Sequence, residues 1–547
     1  MNERWSAGGA VVLGAGTMGR GITQLLLQAG APVLLVDPQP GAAAGAKAAL
    51  GDTFSMLRSK GRLAAAPDSL LEWLAVAEAL PRGNRAEWVF EAAPEDLGLK
   101  RALFADVEAR APLAKLATNT STLSVTAIAA ACREPERVVG VHFFNPAPLM
   151  PLVEVVAGVH TPPTLVEQAV AMAHTLGRTP VVAQDRPGFI VNRLARPYYL
   201  EAIRLLAGGT PVASVDAAMR ATGFRMGPFE LLDLIGIDVN LAASESVYEA
   251  SFHEPRYRPH PLQRSLVAAE RLGRKTGWGF YRYEGGVPVE PARVEPQKPR
   301  VTQADAETRQ PRVTQADAET RQPRVAHAGS ESQPNPLKAA PTAHVLGEGP
   351  VARWLRARFG AAPSPAEADL IVDARVGATD DGQTAGVPRL ALCWGRSAPA
   401  GGVGFSVLPP PARLKHPPTV TLELLAPPNA DASKDMRLVT SLLHGAGFST
   451  LEVPDQPGGV AFRLFAGLVN EAFSALAEGL AGASTLDLAM RLGVNYPEGP
   501  LAWADELGLA DVLAGLEGLR HELGAERYAP HPLLRQFVKY GTSAGGA

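Results

Sequence analysis

The chain has 547 residues, 46% of them hydrophobic, with 52 Lys and Arg against 55 Asp and Glu and a formal net charge of −3. That length exceeds a single hydrophobic core and calls for several domains, and the near-balanced charge leaves no broad basic surface, which argues against nucleic acid as a partner. Two cysteines, Cys132 and Cys393, supply neither a disulfide framework nor metal-ligand spacing and suit a reducing cytosol; Met1 to Ala10 lack the basic-then-apolar pattern of a signal peptide, and no apolar run reaches the roughly 18 residues of a membrane span.

The first predicted strand, Val11–Leu13, runs into Gly14-Ala15-Gly16-Thr17-Met18-Gly19, a GxGxxG that opens a helix continuing through Ile22, Leu25 and Leu26 to Gly30. Gly14 permits the tight turn, Gly16 lets the backbone approach a pyrophosphate, and Gly19 lets helix and strand pack closely. The helix N-terminus, with Thr17 and Met18, turns free N–H groups and positive dipole toward the phosphates. A second strand, Val33–Val36, ends in Asp37. An acid there accepts hydrogen bonds from ribose hydroxyls and repels a 2′-phosphate, and Pro38 and Gln39 follow in place of an Arg, so the cofactor reads as NAD, not NADP. The competing reading is a Rossmann-like shell that binds nothing.

Further strand-like runs follow at Trp88–Glu91, Lys115–Thr118, Val138–Phe144, Leu152–Val156 and Thr179–Val182, with helical stretches between the earlier ones. This predicts an α/β, Rossmann-like, mostly parallel doubly wound sheet over residues 1–184. Glu91–Glu95 and Thr118–Thr122 fall on the carboxyl edge of the sheet, where ligands bind. His142 and Glu154 each interrupt a run rich in Val, Leu and Phe. A lone His in such a run is usually a satisfied core residue. A lone buried carboxylate, however, costs several kcal/mol (roughly 3–5), so pairing the two across neighbouring strands is the economical arrangement. An imidazole polarised by a buried carboxylate is a general acid/base near neutral pH.

From Asp185 the pattern becomes helical, predicting an all-α domain over residues 185–283. Residues 284–341 read as a disordered linker: PRVTQADAETRQ at Pro299–Gln310 recurs identically at Pro311–Gln322, with few apolar side chains to bury. The C-terminal half, expected to fold separately, echoes the first. Asp455-Gln456-Pro457-Gly458 answers Asp185-Arg186-Pro187-Gly188, and Asn470-Glu471-Ala472 answers Leu200-Glu201-Ala202. Gly499-Pro500 with Asp505 likewise answers Gly227-Pro228 with Asp233. Residues 455–541 are therefore a second helical copy, in which Phe462 replaces Asn192. Residues 342–454 keep Gly347-Glu348-Gly349 and Leu370–Asp373 but no HFFNP, and read as a degenerate Rossmann-like module, too short and Pro-rich for a full cofactor domain.

Taken together, GAGTMGRGI from Gly14, EAAPEDLGLK from Glu91, NTSTLSV from Asn119, HFFNPAPLMPLVEV from His142, DRPGFIVNR from Asp185, GPFELLDLIGID from Gly227 and GRKTGWGFY from Gly273 resemble the 3-hydroxyacyl-CoA dehydrogenases over about Val11–Tyr283. The resemblance implies NAD-dependent oxidation of a 3-hydroxyacyl-CoA, with His142 as acid/base and Glu154 as its orienting partner. It implies that Ser121 and Asn192 hold the reacting oxygen and that Glu95, Lys100 and Asn119 line the cofactor side. It extends to the longer, duplicated subgroup of phenylacetate breakdown, whose substrate class is 3-hydroxyadipyl-CoA; shorter relatives of fatty-acid oxidation take 3-hydroxybutyryl-CoA. A dicarboxylic tail would want a cation, for which Arg186, Arg193, Arg196 and Arg225 are candidates. Single-copy relatives dimerise through the helical domain, so this chain is either a homodimer or a monomer with an internal pseudo-dimer, cytoplasmic in either case. Two other classes stay open: a hydroxyisobutyrate-type NAD dehydrogenase, which relies on a helical-domain lysine, and a non-catalytic NAD-binding scaffold, which would not need His142 and Glu154 together.

Overall fold

The computed structural model describes residues 9–291, 325–326, 341–376, 387–399, 403–426 and 432–546. The tandem 12-residue repeat lies outside them.

The first sheet has eight strands in the spatial order Leu74–Ala77, Val33–Val36, Ala10–Leu13, Trp88–Glu91, Lys115–Thr118, Val138–Phe143, Leu152–Ala157, Thr179–Gln184. The strands from Leu74–Ala77 through Val138–Phe143 are parallel, and the last two run opposite to them. Chain order reverses on either side of Ala10–Leu13, so the nucleotide turn that follows this strand sits at the topological switch point. The edge strand Leu74–Ala77 was not legible: only Leu74 is buried and two of its four residues are Ala, so neither alternation nor β-branching marks it.

Five helices follow, Val191–Ala207, Val212–Ala221, Pro228–Ile235, Ile237–Ala250 and Pro261–Ala268, and they recur as Ala461–Ala477, Ala483–Gly493, Pro500–Leu507, Leu509–Leu523 and Pro532–Tyr540. The first set is not purely helical. It ends in an antiparallel hairpin, Tyr281–Glu284 with Val287–Pro291, which runs into the stretch read as linker. The pair Val325–Ala326 also falls inside that stretch and adds to the edge of the second sheet.

The second sheet is more complete than its sequence suggested. Read from its far edge, Gly360–Ala361, Thr342–Leu346, Leu370–Asp373, Arg389–Leu392, Val403–Ser406, Thr421–Ala426 and Ser449–Pro454 repeat the order of the first sheet from Val33–Val36 onward. The antiparallel step recurs between Val403–Ser406 and Thr421–Ala426. What has shrunk is the helical cover: the helix after the first glycine turn is Pro350–Arg356, 7 residues against 12 in Thr17–Gln28.

The two halves do not fold apart. One continuous buried apolar core runs from Leu152 and Val181 through both helical copies to Leu392, Phe405 and Leu424 of the second sheet. The long helices Val191–Ala207 and Ala461–Ala477 pack on each other with Pro197 against Gly467. Around them the ion pairs obey a pseudo-two-fold: Arg193 pairs with Glu471 at 2.7 Å and Tyr257 donates to Glu471, while Arg463 and Tyr528 do the same to Glu201. Each helical copy also reaches across to the other half's sheet. Ala483–Gly493 lies on Leu152–Ala157 and Thr179–Gln184, and Val212–Ala221 lies on Thr421–Ala426 and Ser449–Pro454.

Candidate active site

The carboxyl ends of five parallel strands, with Glu154 on the antiparallel neighbour, supply the site. Gly14 turns at φ 100°, and a Cβ on Gly19 would fall 1.8 Å from the Gly14 carbonyl oxygen, so helix and strand approach as closely as the motif demands. A Cβ on Gly16 would meet nothing within 4 Å, leaving that backbone open to a phosphate where the helix carrying Thr17 and Met18 begins. Asp37 stands beside the turn, accepting from Ala15 N–H at 2.8 Å and from Gln39 N–H at 2.9 Å. These residues fit NAD.

Glu95 closes the next loop. Its Oε1 accepts from the Thr120 hydroxyl at 2.7 Å, Ser121 N–H at 2.8 Å and Thr122 N–H at 3.1 Å. Burial pushes this carboxyl up, but Lys100 and the Thr120, Ser121 and Thr122 donors outweigh it and hold the group below its ordinary range. Lys100 is itself buried between Glu91, at 2.6 Å, and Glu95, at 3.3 Å, so it meets the cofactor edge through Glu95. Asn119 accepts from Phe143 N–H at 2.8 Å, which ties the nucleotide edge to the strand bearing His142.

His142 and Glu154 are direct partners across the antiparallel step, and His142 Nδ1 lies 2.7 Å from Glu154 Oε2. Both side chains are buried, with Phe144 and Phe189 rings against the imidazole. Glu154 does a second thing: Oε1 accepts from Ile190 N–H at 3.1 Å and Val191 N–H at 2.9 Å, at the start of the helix that carries Asn192. Asn192 Nδ2 in turn donates to the Ser121 carbonyl at 3.1 Å. The residues named from sequence thus meet in one connected constellation. Arg196 belongs to it as well; its Nε donates to the Asn192 carbonyl and its Nη2 to Asn192 Oδ1. Sequence reasoning weighed Arg196 only as one cation among many.

The second copy keeps the glutamate of this constellation and differs at the positions around it. Ser406 is the register partner of Glu423, as His142 is of Glu154. Glu423 keeps both backbone bonds, from Val460 and Ala461 N–H, and burial pushes its carboxyl up to about 7 despite them. A signal for it existed in Thr421-Leu422-Glu423-Leu424-Leu425, an acid interrupting an apolar strand as Glu154 does. Phe462, at the place of Asn192, stacks on Trp394 with ring centroids 4.3 Å apart. At the glycine turn, a Cβ on Gly349 would fall 2.3 Å from the Asp511 carboxylate, so an anionic side chain lies against the backbone that Gly16 leaves open.

Among the described residues no helix is long and apolar enough to cross a membrane, and no group of three or more His, Cys, Asp or Glu is placed to hold a metal ion.

A nucleotide turn at a switch point, a histidine–carboxylate pair beside it and a helical domain bearing an amide donor define an NAD-dependent dehydrogenase. The 3-hydroxyacyl-CoA dehydrogenase NAD binding domain matches residues 9–186, and the 3-hydroxyacyl-CoA dehydrogenase C-terminal domain matches twice, at 188–283 and 458–545. The chain belongs to the 3-hydroxyacyl-CoA dehydrogenase family. It is 35% identical to the 3-hydroxyadipyl-CoA dehydrogenase of Escherichia coli, over 96% of each chain. A solved structure, the 3-hydroxybutyryl-CoA dehydrogenase of Escherichia coli, superposes with a TM-score of 0.75 at 34% identity and covers 98% of this chain and 99% of its own. A probable 3-hydroxybutyryl-CoA dehydrogenase of Deinococcus radiodurans is 36% identical over 50% of this chain and 99% of its own length, a single-copy relative.

Proposed function

We propose that the chain oxidises the 3-hydroxyl of a 3-hydroxyacyl-CoA to the 3-oxo group, with NAD as hydride acceptor and one active site per chain. The observation that carries this is the buried 2.7 Å contact between His142 Nδ1 and Glu154 Oε2, on the same sheet edge as the open Gly16 turn. With Nδ1 held by the carboxylate, Nε2 is the nitrogen that takes the hydroxyl proton, and Glu154 balances the imidazolium charge. Asn192 and Ser121 hold the reacting oxygen, and such orientation is worth roughly 7–11 kcal/mol in ideal cases. Asp37 meets the adenosine ribose, and the bound nicotinamide supplies the carbon that receives the hydride.

For the acyl group, two relatives that match along nearly the whole chain are named for 3-hydroxyadipyl-CoA and for 3-hydroxybutyryl-CoA, and the reading takes 3-hydroxyadipyl-CoA first and 3-hydroxybutyryl-CoA second. Of the candidate cations for a dicarboxylic tail, Arg193 is already neutralised by Glu471 and Glu478, each at 2.7 Å. The pseudo-two-fold helix pairing supports a monomer that is dimeric within itself, and the two free cysteines support a cytoplasmic setting. NADH formation with the two thioesters side by side tests the reading. Turnover of 3-hydroxyadipyl-CoA above 3-hydroxybutyryl-CoA is expected, and no NADH from either sinks it.

A further inference from the structure

Arg196 is 1% exposed, and among the described residues no carboxylate pairs with it. Its guanidinium spends its donors on neutral acceptors: the carbonyl and Oδ1 of Asn192, the Asn240 carbonyl and the Ser244 hydroxyl at 2.9 Å. Burial pushes it down to about 10, with the Tyr199 and Tyr496 hydroxyls opposing. A buried cation without a counter-charge is destabilising, so an apolar residue would serve the fold better.

The second copy contains that apolar solution. Arg196, Asn240, Ser244 and Gln263 form one buried polar network, in which Gln263 donates to Asn240 Oδ1 at 3.0 Å. The matching positions of the second copy hold Ala466, Val512, Leu516 and Leu534, all fully buried. Where Asn192 has become Phe462, the whole network behind it has become hydrocarbon. The network therefore tracks the working amide, not the helical fold.

We infer that Arg196 is a positioning residue that fixes the orientation of the Asn192 side chain. A guanidinium offers donors and no acceptor, so the Asn192 amide must turn Oδ1 toward Arg196 and Nδ2 toward Ser121 and the substrate oxygen. A flipped amide would present an acceptor to a group that needs a donor. The inference rests on reading Asn192 as a ligand of the reacting oxygen.

The test is steady-state kinetics and thermal melting of full-length Arg196→Leu, Arg196→Lys, Asn192→Ala and Arg196→Leu/Asn192→Ala. Arg196→Leu is expected to lower kcat at least about tenfold, with KM little changed, because misplacement of an orienting group acts in the transition state. Its Tm should match or exceed that of the parent, since an unpaired buried charge has gone. In the Asn192→Ala background the same change should cost no further activity, because the pair acts as one unit. Arg196→Lys, which keeps the charge but lacks the fork, should fold and lose kcat, and this variant decides the matter if Arg196→Leu does not fold. A fall of Tm alongside kcat in an Arg196→Leu that still folds, full kcat in Arg196→Lys, or an undiminished loss in the Asn192→Ala background overturns the inference. If Asn192→Ala itself costs nothing, it is the reading of the site that fails.

Discussion

Ser406 stands in the second sheet where His142 stands in the first, each the direct antiparallel partner of a buried glutamate. The two copies separate two roles that are fused in Glu154. In the second copy the imidazole is gone, yet Glu423 still accepts from both N–H groups that open the long helix. The bond to the helix therefore belongs to the architecture, and the bond to His142 is the one that the proposed chemistry would use.

A pH-dependent cost should follow from Glu423. Its carboxyl is raised from an ordinary 4.5 to about 7 by burial. A raised acid contributes stability that is present below its ordinary value and lost as pH climbs through the folded value. Glu423→Gln cannot ionise but keeps only one acceptor oxygen for the Val460 and Ala461 N–H groups, so whatever its offset near pH 4.5, its stability relative to the parent should rise by about 1–3 kcal/mol between pH 4.5 and pH 7, a tenfold change in proton affinity being worth about 1.4 kcal/mol. Denaturant unfolding of both proteins across that range checks it. A stability difference that stays constant with pH would contradict the assignment.

Glu154→Gln and Glu154→Ala should fail differently. The Gln carbonyl can still accept from Ile190 and Val191 N–H, but its amide donates toward His142 Nδ1 and forces the proton onto Nε2, the nitrogen that must accept. Glu154→Gln should therefore lower kcat by about 10²–10⁴-fold with KM near the parent value. Glu154→Ala should raise KM as well, because the helix carrying Asn192 loses its acceptor. Identical kinetic defects in the two variants would remove the second role.

Cofactor choice is expected to rest on Asp37. The parent should use NAD strongly over NADP, and Asp37→Ser combined with Pro38→Arg should narrow the gap, since a 2′-phosphate would then meet a cation instead of a carboxylate. Equal use of both cofactors by the parent would refute the placement of Asp37 at the ribose.

Titration calorimetry should count one NAD per chain. At the second turn the Asp511 carboxylate lies against Gly349, and like charge repels a pyrophosphate there. A second site of comparable affinity would mean that the C-terminal half still binds nucleotide.

The first 200 residues announced themselves because each device there is local. A glycine turn, an acid ending a strand and polar residues interrupting apolar runs all leave marks within a few positions. Even the register of His142 on Glu154 followed from the cost of leaving either alone. The second half was harder, since its identity lies in pairing order and its turns and helices are worn down. Glu423 leaves the same mark as Glu154, an acid in an apolar run, but its place opposite Ser406 shows only once its strand is laid beside Leu152–Ala157. The shared core escaped for a different reason: apolar periodicity says that a helix face is buried, not against which half of the chain. Arg196 was one arginine among many, and its bonds to Asn192 show only in three dimensions.

The central claim is that His142 moves the proton while other residues hold the cofactor. It is tested most directly by His142→Gln, measuring NAD affinity by calorimetry and NADH formation from 3-hydroxyadipyl-CoA in the same preparation. NAD affinity should stay within a few-fold of the parent while kcat falls by at least about 10²-fold, the low end for acid/base catalysis. A variant that binds NAD normally and keeps most of its turnover would contradict the account.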